Sequence, residues 1–99
     1  MSVTAYHFWS PTCGPCTHIK PAVEALKKDI SEVKWVHINI RDDPTGLTVV
    51  HNVKVVPTIV VVVKDNTGKT LGSNKASGTD MMAYHRILRG AVKAVSQLP

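Results

Sequence analysis

Cys13 and Cys16 are the only cysteines in the chain, and they bracket Gly14 and Pro15. Two thiols at this spacing can close into a disulfide and reopen. The reactive species is the thiolate, which forms most readily at a helix N-terminus, where unpaired backbone N–H groups and the positive end of the helix dipole stabilise a negative sulfur. A disulfide closing so short a loop removes little chain entropy and makes a poor staple. The pattern therefore points to reversible exchange chemistry, with Cys13 as the outer, attacking sulfur and Cys16, one turn further in, as the second.

The elements needed to hold this pair are readable on either side of it. Val3 to Trp9 is β-rich and weakly alternating, a strand broken by Ser10-Pro11-Thr12. A helix is predicted from Cys13 to about Ile30, with Ile19, Val23, Leu26 and Ile30 on one face. Pro15 sits in its first turn, where a missing N–H costs little, and Pro21 is expected to kink it. Thr12 is a candidate cap. Val33 to Ile40 alternates as a second strand, and Asp42-Asp43-Pro44 is expected to start a short helix ending at Val50. Thr58 to Lys64 is the most apolar strand and is expected to be central. Asp65-Asn66-Thr67-Gly68 marks a hairpin into a polar edge strand, Lys69 to Lys75. A last helix, capped by Thr79 or Asp80, buries Tyr84, Ile87, Leu88, Ala91, Val92, Val95 and Leu98. The order is β-α-β-α-β-β-α. A right-handed crossover makes the first two strands parallel neighbours, and the last two strands form an antiparallel hairpin.

The 99 residues are enough for one compact domain spanning 1–99, and 43% hydrophobic with 19% charged residues fits an ordinary globular chain. No stretch approaches the roughly 20 apolar residues of a membrane helix, and Met1-Ser2-Val3-Thr4 does not look like the start of a secretory signal. The expectation is a cytoplasmic protein without a membrane partner. Cysteine usage in such a chain argues for catalysis or metal rather than a disulfide framework. The net charge of +5 is scattered over helix faces, which disfavours a nucleic-acid partner.

Phe8-Trp9-Ser10-Pro11-Thr12-Cys13-Gly14-Pro15-Cys16, Pro21, Asn39, Val56-Pro57-Thr58 and Gly78 together resemble the thioredoxin family over nearly the whole chain. The resemblance implies an α/β fold, the minimal thioredoxin fold, with a four-stranded mixed sheet flanked by helices. It implies a protein-disulfide reductase that carries no bound cofactor, works as a monomer, and draws electrons from a thioredoxin reductase using NADPH. Cys13 would attack the substrate disulfide and Cys16 would resolve the mixed disulfide. Gly14 and Pro15 would set a reducing poise, and Trp9 would shield the site. Pro57 would follow a cis bond beside the cysteines, the alternative being a trans proline opening a strand. Thr12, Val56 and Gly78 would meet the substrate, with Val56 pairing to an extended substrate strand.

The chain also departs from the family pattern. The chain is expected to lack the usual N-terminal strand and helix, Thr12 replaces a tryptophan, Val55 replaces a glycine, and His7 stands where a buried aspartate is usual. His37 falls near the place of a lysine that commonly faces that aspartate. Thr12 implies a less hydrophobic substrate surface. His7, on the strand face opposite Phe8, is a candidate relay for the Cys16 proton. The alternative is a histidine satisfied by backbone or water.

Three other readings compete. A glutaredoxin-like electron donor to one enzyme, such as ribonucleotide reductase, suits the small core and Thr12. A non-catalytic adaptor would use the same groove without needing both cysteines. A metal site could draw on Cys13, Cys16, His18 and either His7 or His51, but a second Cys-x-x-Cys is absent and Pro57 should crowd the sulfurs, so no metal is expected.

Overall fold

The computed structural model describes residues 1–96, and its order of elements is the one the sequence predicts. β1 (Ser2–Trp9), β2 (Lys34–Asn39), β3 (Thr58–Lys64) and β4 (Thr70–Ser77) form one sheet in the order β2-β1-β3-β4. β1 runs parallel to β2 and antiparallel to β3, and β3 runs antiparallel to β4. β1 and β3 are thus both interior, buried on both faces over most of their length. That burial is why their side chains read as nearly continuous apolar runs rather than as clean alternation.

The two faces of the sheet carry separate cores. Val3, Ala5, Ile59 and Val61 point to one face and pack with Ile19, Val23 and Leu26 of α1 (Gly14–Asp29) and Tyr84 and Leu88 of α3 (Met81–Ser96). Tyr6, Phe8, Ile38, Val60 and Val62 point to the other, where Leu47 of the short α2 (Leu47–Val50) covers them with Val53 and Val56. The result is a three-layer sandwich with α1 and α3 on one side and α2 on the other. α1 continues through Pro21 to Asp29.

Two elements differ from the sequence reading by two or more residues at one end. The second helix starts at Leu47 rather than at Asp42–Pro44. The Asp43 carboxylate instead accepts from the backbone N–H and hydroxyl of both Thr45 and Thr48, closing a turn ahead of it. Those donors hold the Asp43 carboxyl down at about 2. β4 starts one residue later than expected and runs two residues further, to Ser77, because β3 pairs with it as far as Thr58. Leu98 lies outside the described residues; the rest of its proposed stripe faces the sheet.

Leu88 is fully buried in the α1/α3 core whereas Met82, on the same helix, is 69% exposed. Leu88→Ala is expected to lower unfolding free energy by about 2–5 kcal/mol, and Met82→Ala by no more than about 0.5 kcal/mol, in urea titrations. Equal losses would contradict this placement of α3.

Candidate active site

β1 leads directly to the cysteines. After Trp9 the chain turns through Ser10–Thr12, with the Cys13 N–H donating to the Ser10 carbonyl at 3.1 Å. α1 then begins at Gly14. The N-cap is Cys13 itself rather than Thr12: its sulfur accepts the Cys16 N–H at 3.1 Å, taking the place of the usual capping hydroxyl or carboxylate. The Thr12 hydroxyl turns back to Ser10 Oγ instead, and Thr12 stays exposed. Gly14 and Pro15 form the exposed first residues of the helix.

Cys13 and Cys16 are joined in a disulfide with their Cα atoms 5.2 Å apart. The two sulfurs are not equivalent. Cys13 is half-buried, while Cys16 is buried at 6% exposure beneath it. An incoming group therefore meets Cys13 first. The Val56 carbonyl lies 3.6 Å from the Cys13 sulfur, and the Val56–Pro57 peptide bond is cis. Val55, just before it, is exposed. Across from this segment Gly78, at φ +99°, donates its N–H to the Pro57 carbonyl at 2.9 Å. Cys13, Val56, Pro57 and Gly78 thus meet at one place, with Thr12 beside it in the sequence.

Behind the cysteines, a cavity of about 320 Å³ is lined by Cys16, His7, Trp9, Lys20 and Glu24, among others. His7 and His37 are direct partners in the parallel β1–β2 register, and their Nδ1 atoms lie 2.9 Å apart. His37 Nε2 in turn lies 2.8 Å from Lys27 Nζ on α1. This chain has a defined polarity. A lysine ammonium can only donate, so His37 accepts on Nε2 and carries its proton on Nδ1. That proton is donated to His7 Nδ1, which leaves the His7 proton on Nε2. His7 Nε2 is buried and has no partner among the described residues.

Burial is the main cause that pushes the His7 pKa down to about 4, followed by the nearby His37 and Lys27; Glu24 opposes them. His37 is lowered too, again chiefly by burial. His7 is therefore neutral through the physiological range. Lys27 was not legible in the sequence as a site residue, because it reaches His37 only through the way α1 lies on the sheet.

Of the histidines weighed as metal ligands, only His7 lines the cavity with Cys16. His51 packs against Tyr6 and Phe8 on the α2 face of the sheet, opposite His7, and His18 is exposed on α1. Among the described residues no three His, Cys, Asp or Glu side chains converge as a metal site.

Comparison with known proteins agrees with this geometry. The chain is 36% identical over 55 residues to a thioredoxin of Porphyra purpurea, covering 54% of this chain and 50% of that protein. It is 35% identical over 54 residues to a thioredoxin of Mycoplasma genitalium, covering 54% and 52%. The match thus spans about half the length of these curated relatives. The structure superposes on Fasciola hepatica thioredoxin with a TM-score of 0.76 at 28% identity, covering 91% of this chain and 81% of that one. On mitochondrial thioredoxin 3 of Saccharomyces cerevisiae the TM-score is also 0.76, at 24% identity over 90% of this chain and 78% of that one, a likeness of fold. The thioredoxin family model matches residues 3–84, from the first strand into the last helix, and the chain belongs to that family.

Proposed function

We propose that this protein is a thiol–disulfide oxidoreductase that reduces protein disulfides. The observation that carries this reading is the inequivalence of two bonded sulfurs at the head of α1. Cys13 is the accessible one, and a backbone N–H is already aimed at it. That donor and the helix dipole favour a Cys13 thiolate in the reduced state.

The exchange follows from that geometry. The Cys13 thiolate attacks one sulfur of a substrate disulfide and expels the other as a thiolate, giving a mixed disulfide. Cys16 loses its proton and attacks the Cys13 sulfur, which releases the second substrate sulfur. Two electrons have then passed to the substrate, and Cys13–Cys16 is oxidised. Val56 offers backbone groups to an extended substrate strand beside Cys13, and Gly78, its own N–H and carbonyl engaged by Pro57 and Tyr84, borders that strand. The reaction belongs in a reducing compartment, the cytoplasm, with a thioredoxin reductase using NADPH returning the electrons. The glutaredoxin-like alternative is separated from this one by whether such a reductase or glutathione recharges the protein.

His7 serves the inner cysteine in this reading, with a direction that sequence alone did not supply. In the disulfide state its Nε2 carries a proton and is set to donate. When the disulfide is reduced and Cys16 leaves as a thiolate, that proton passes to sulfur across the cavity. In the same step protons shift from His37 to His7 and from Lys27 to His37, and solvent returns a proton to Lys27. In the forward reaction His7 Nε2 takes the Cys16 proton and the shifts reverse, with one proton released to solvent at Lys27. Neither imidazole has to hold a charge, which suits a His7 that burial keeps neutral.

Two outcomes are expected. Cys16→Ser should accumulate a mixed disulfide between Cys13 and a protein substrate such as insulin, seen by non-reducing mass spectrometry, and Cys13→Ser should form none. A Cys13→Ser protein that still reduces insulin would exclude the scheme.

The second concerns stability against pH. The folded His7 pKa, about 4, lies below its unfolded value of 6.5, so the unfolded state binds more protons between them. The stabilisation is complete above about pH 6.5 and is lost as pH falls toward 4. Between pH 7 and 4.5 this amounts to about 2–3 kcal/mol at roughly 1.36 kcal/mol per unit. Urea titrations of His7→Gln should show a correspondingly smaller acid loss than the unaltered chain. Equal losses in the two proteins would show that His7 is not held neutral by burial.

A further inference from the structure

The largest fully buried side chain is Tyr84 on α3. The sequence pattern accounts for its ring as part of the apolar stripe, but not for its hydroxyl. That hydroxyl donates at 3.1 Å to the Pro57 carbonyl and makes a second, short contact with the Gly78 carbonyl. One proton is thus shared between the two backbone segments that flank the space in front of Cys13. The Gly78 N–H meets the same Pro57 carbonyl, so the three groups form a closed set. A second hydroxyl bridge lies alongside: Thr58 Oγ1 donates to the Val55 carbonyl and lies 2.7 Å from Ser77 Oγ.

We infer that the Tyr84 hydroxyl is a positioning group that fixes the spacing of the Val56–Pro57 and Gly78 segments, and so sets how well an extended polypeptide disulfide docks beside Cys13. The inference rests on the exchange reading above and extends it from the sulfurs to substrate choice. Three observations support it. Tyr84 touches neither sulfur, so its effect must pass through the backbone it holds. Both of its partners are carbonyls, and burial raises its pKa to about 12, so it remains a donor at any working pH. Gly78, at φ +99°, has a backbone conformation that side-chain-bearing residues rarely adopt, so its orientation depends on such external ties.

A small aromatic disulfide needs only an exposed Cys13 sulfur, whereas a protein disulfide must also lay a strand between the two segments. The test compares Tyr84→Phe with the unaltered protein on two substrates, insulin and 5,5′-dithiobis(2-nitrobenzoic acid). Phenylalanine keeps the ring packing and removes only the donor. The expected result is that kcat/KM for insulin falls about tenfold further than that for the small disulfide, through a raised KM. A tenfold change corresponds to one modest buried hydrogen bond. Equal losses on both substrates, a loss confined to kcat, or no loss on either would overturn the inference. If Tyr84→Phe does not fold, as judged by circular dichroism, Ser77→Ala replaces it. Ser77 is exposed and belongs to the parallel bridge, so its loss should shift the same ratio in the same direction, by about twofold to threefold, and an unchanged ratio would overturn the inference. Failure of the unaltered protein to reduce either disulfide would instead count against the exchange reading itself.

Discussion

The hydrogen bond from the Cys16 N–H to the Cys13 sulfur exists only because α1 begins where it does, and the remaining features of the site are arranged round that start. The first N–H groups of a helix have no partner within it. Most helices answer with a serine, threonine or aspartate cap, whereas this one spends the position on a sulfur. The same donor that completes the helix therefore favours a negative charge on that sulfur, so a requirement of secondary structure becomes a means of activation. α1 can be placed this way because it grows from β1, an interior strand locked between β2 and β3 and buried on both faces. A strand at the edge of the sheet would give the cysteines a less fixed base.

From that point the site is assembled by backbone more than by side chains. The Val56 carbonyl stands 3.6 Å from the Cys13 sulfur, and Gly78 is bonded to the Pro57 carbonyl behind it. Side chains act from beneath. On one side His7, His37 and Lys27 form a polar line leading from the cavity behind Cys16 to the half-exposed flank of α1. On the other, Tyr84 reaches up from α3 to the paired carbonyls. The chemistry of each is set by what it cannot do: a lysine ammonium cannot accept a hydrogen bond, and a tyrosine pushed to about 12 does not ionise at working pH.

Much of this is legible in the sequence. The Cys13–Cys16 spacing pointed to exchange chemistry, and the periods of β1, α1, β3 and α3 located the elements, because buried faces leave regular apolar patterns. The parallel pairing of β1 with β2 followed from the handedness of the crossover, and it brings His7 opposite His37. Misreadings came where local side-chain hydrogen bonds decide. Asp43 closes a turn with Thr45 and Thr48 where a helix start was expected, and the Cys13 sulfur caps α1 where Thr12 was expected to. β4 was read short because all but one of its residues are exposed, so no apolar period marks its end and only its partner strand does. Lys27 and the Tyr84 hydroxyl were missed because their roles depend on how helices lie across the sheet, which no local pattern encodes.

The central claim is that Cys13 and Cys16 form a reversible dithiol poised for reduction of other disulfides. Equilibrium titration of the protein against a defined thiol–disulfide buffer, with the oxidised fraction read by mass after alkylation, tests it most directly. The account predicts one reversible two-electron transition at the reducing end of the scale, where thioredoxins lie at about −270 mV. A transition at the oxidising end, near about −120 mV, or the absence of any reversible transition, would contradict it.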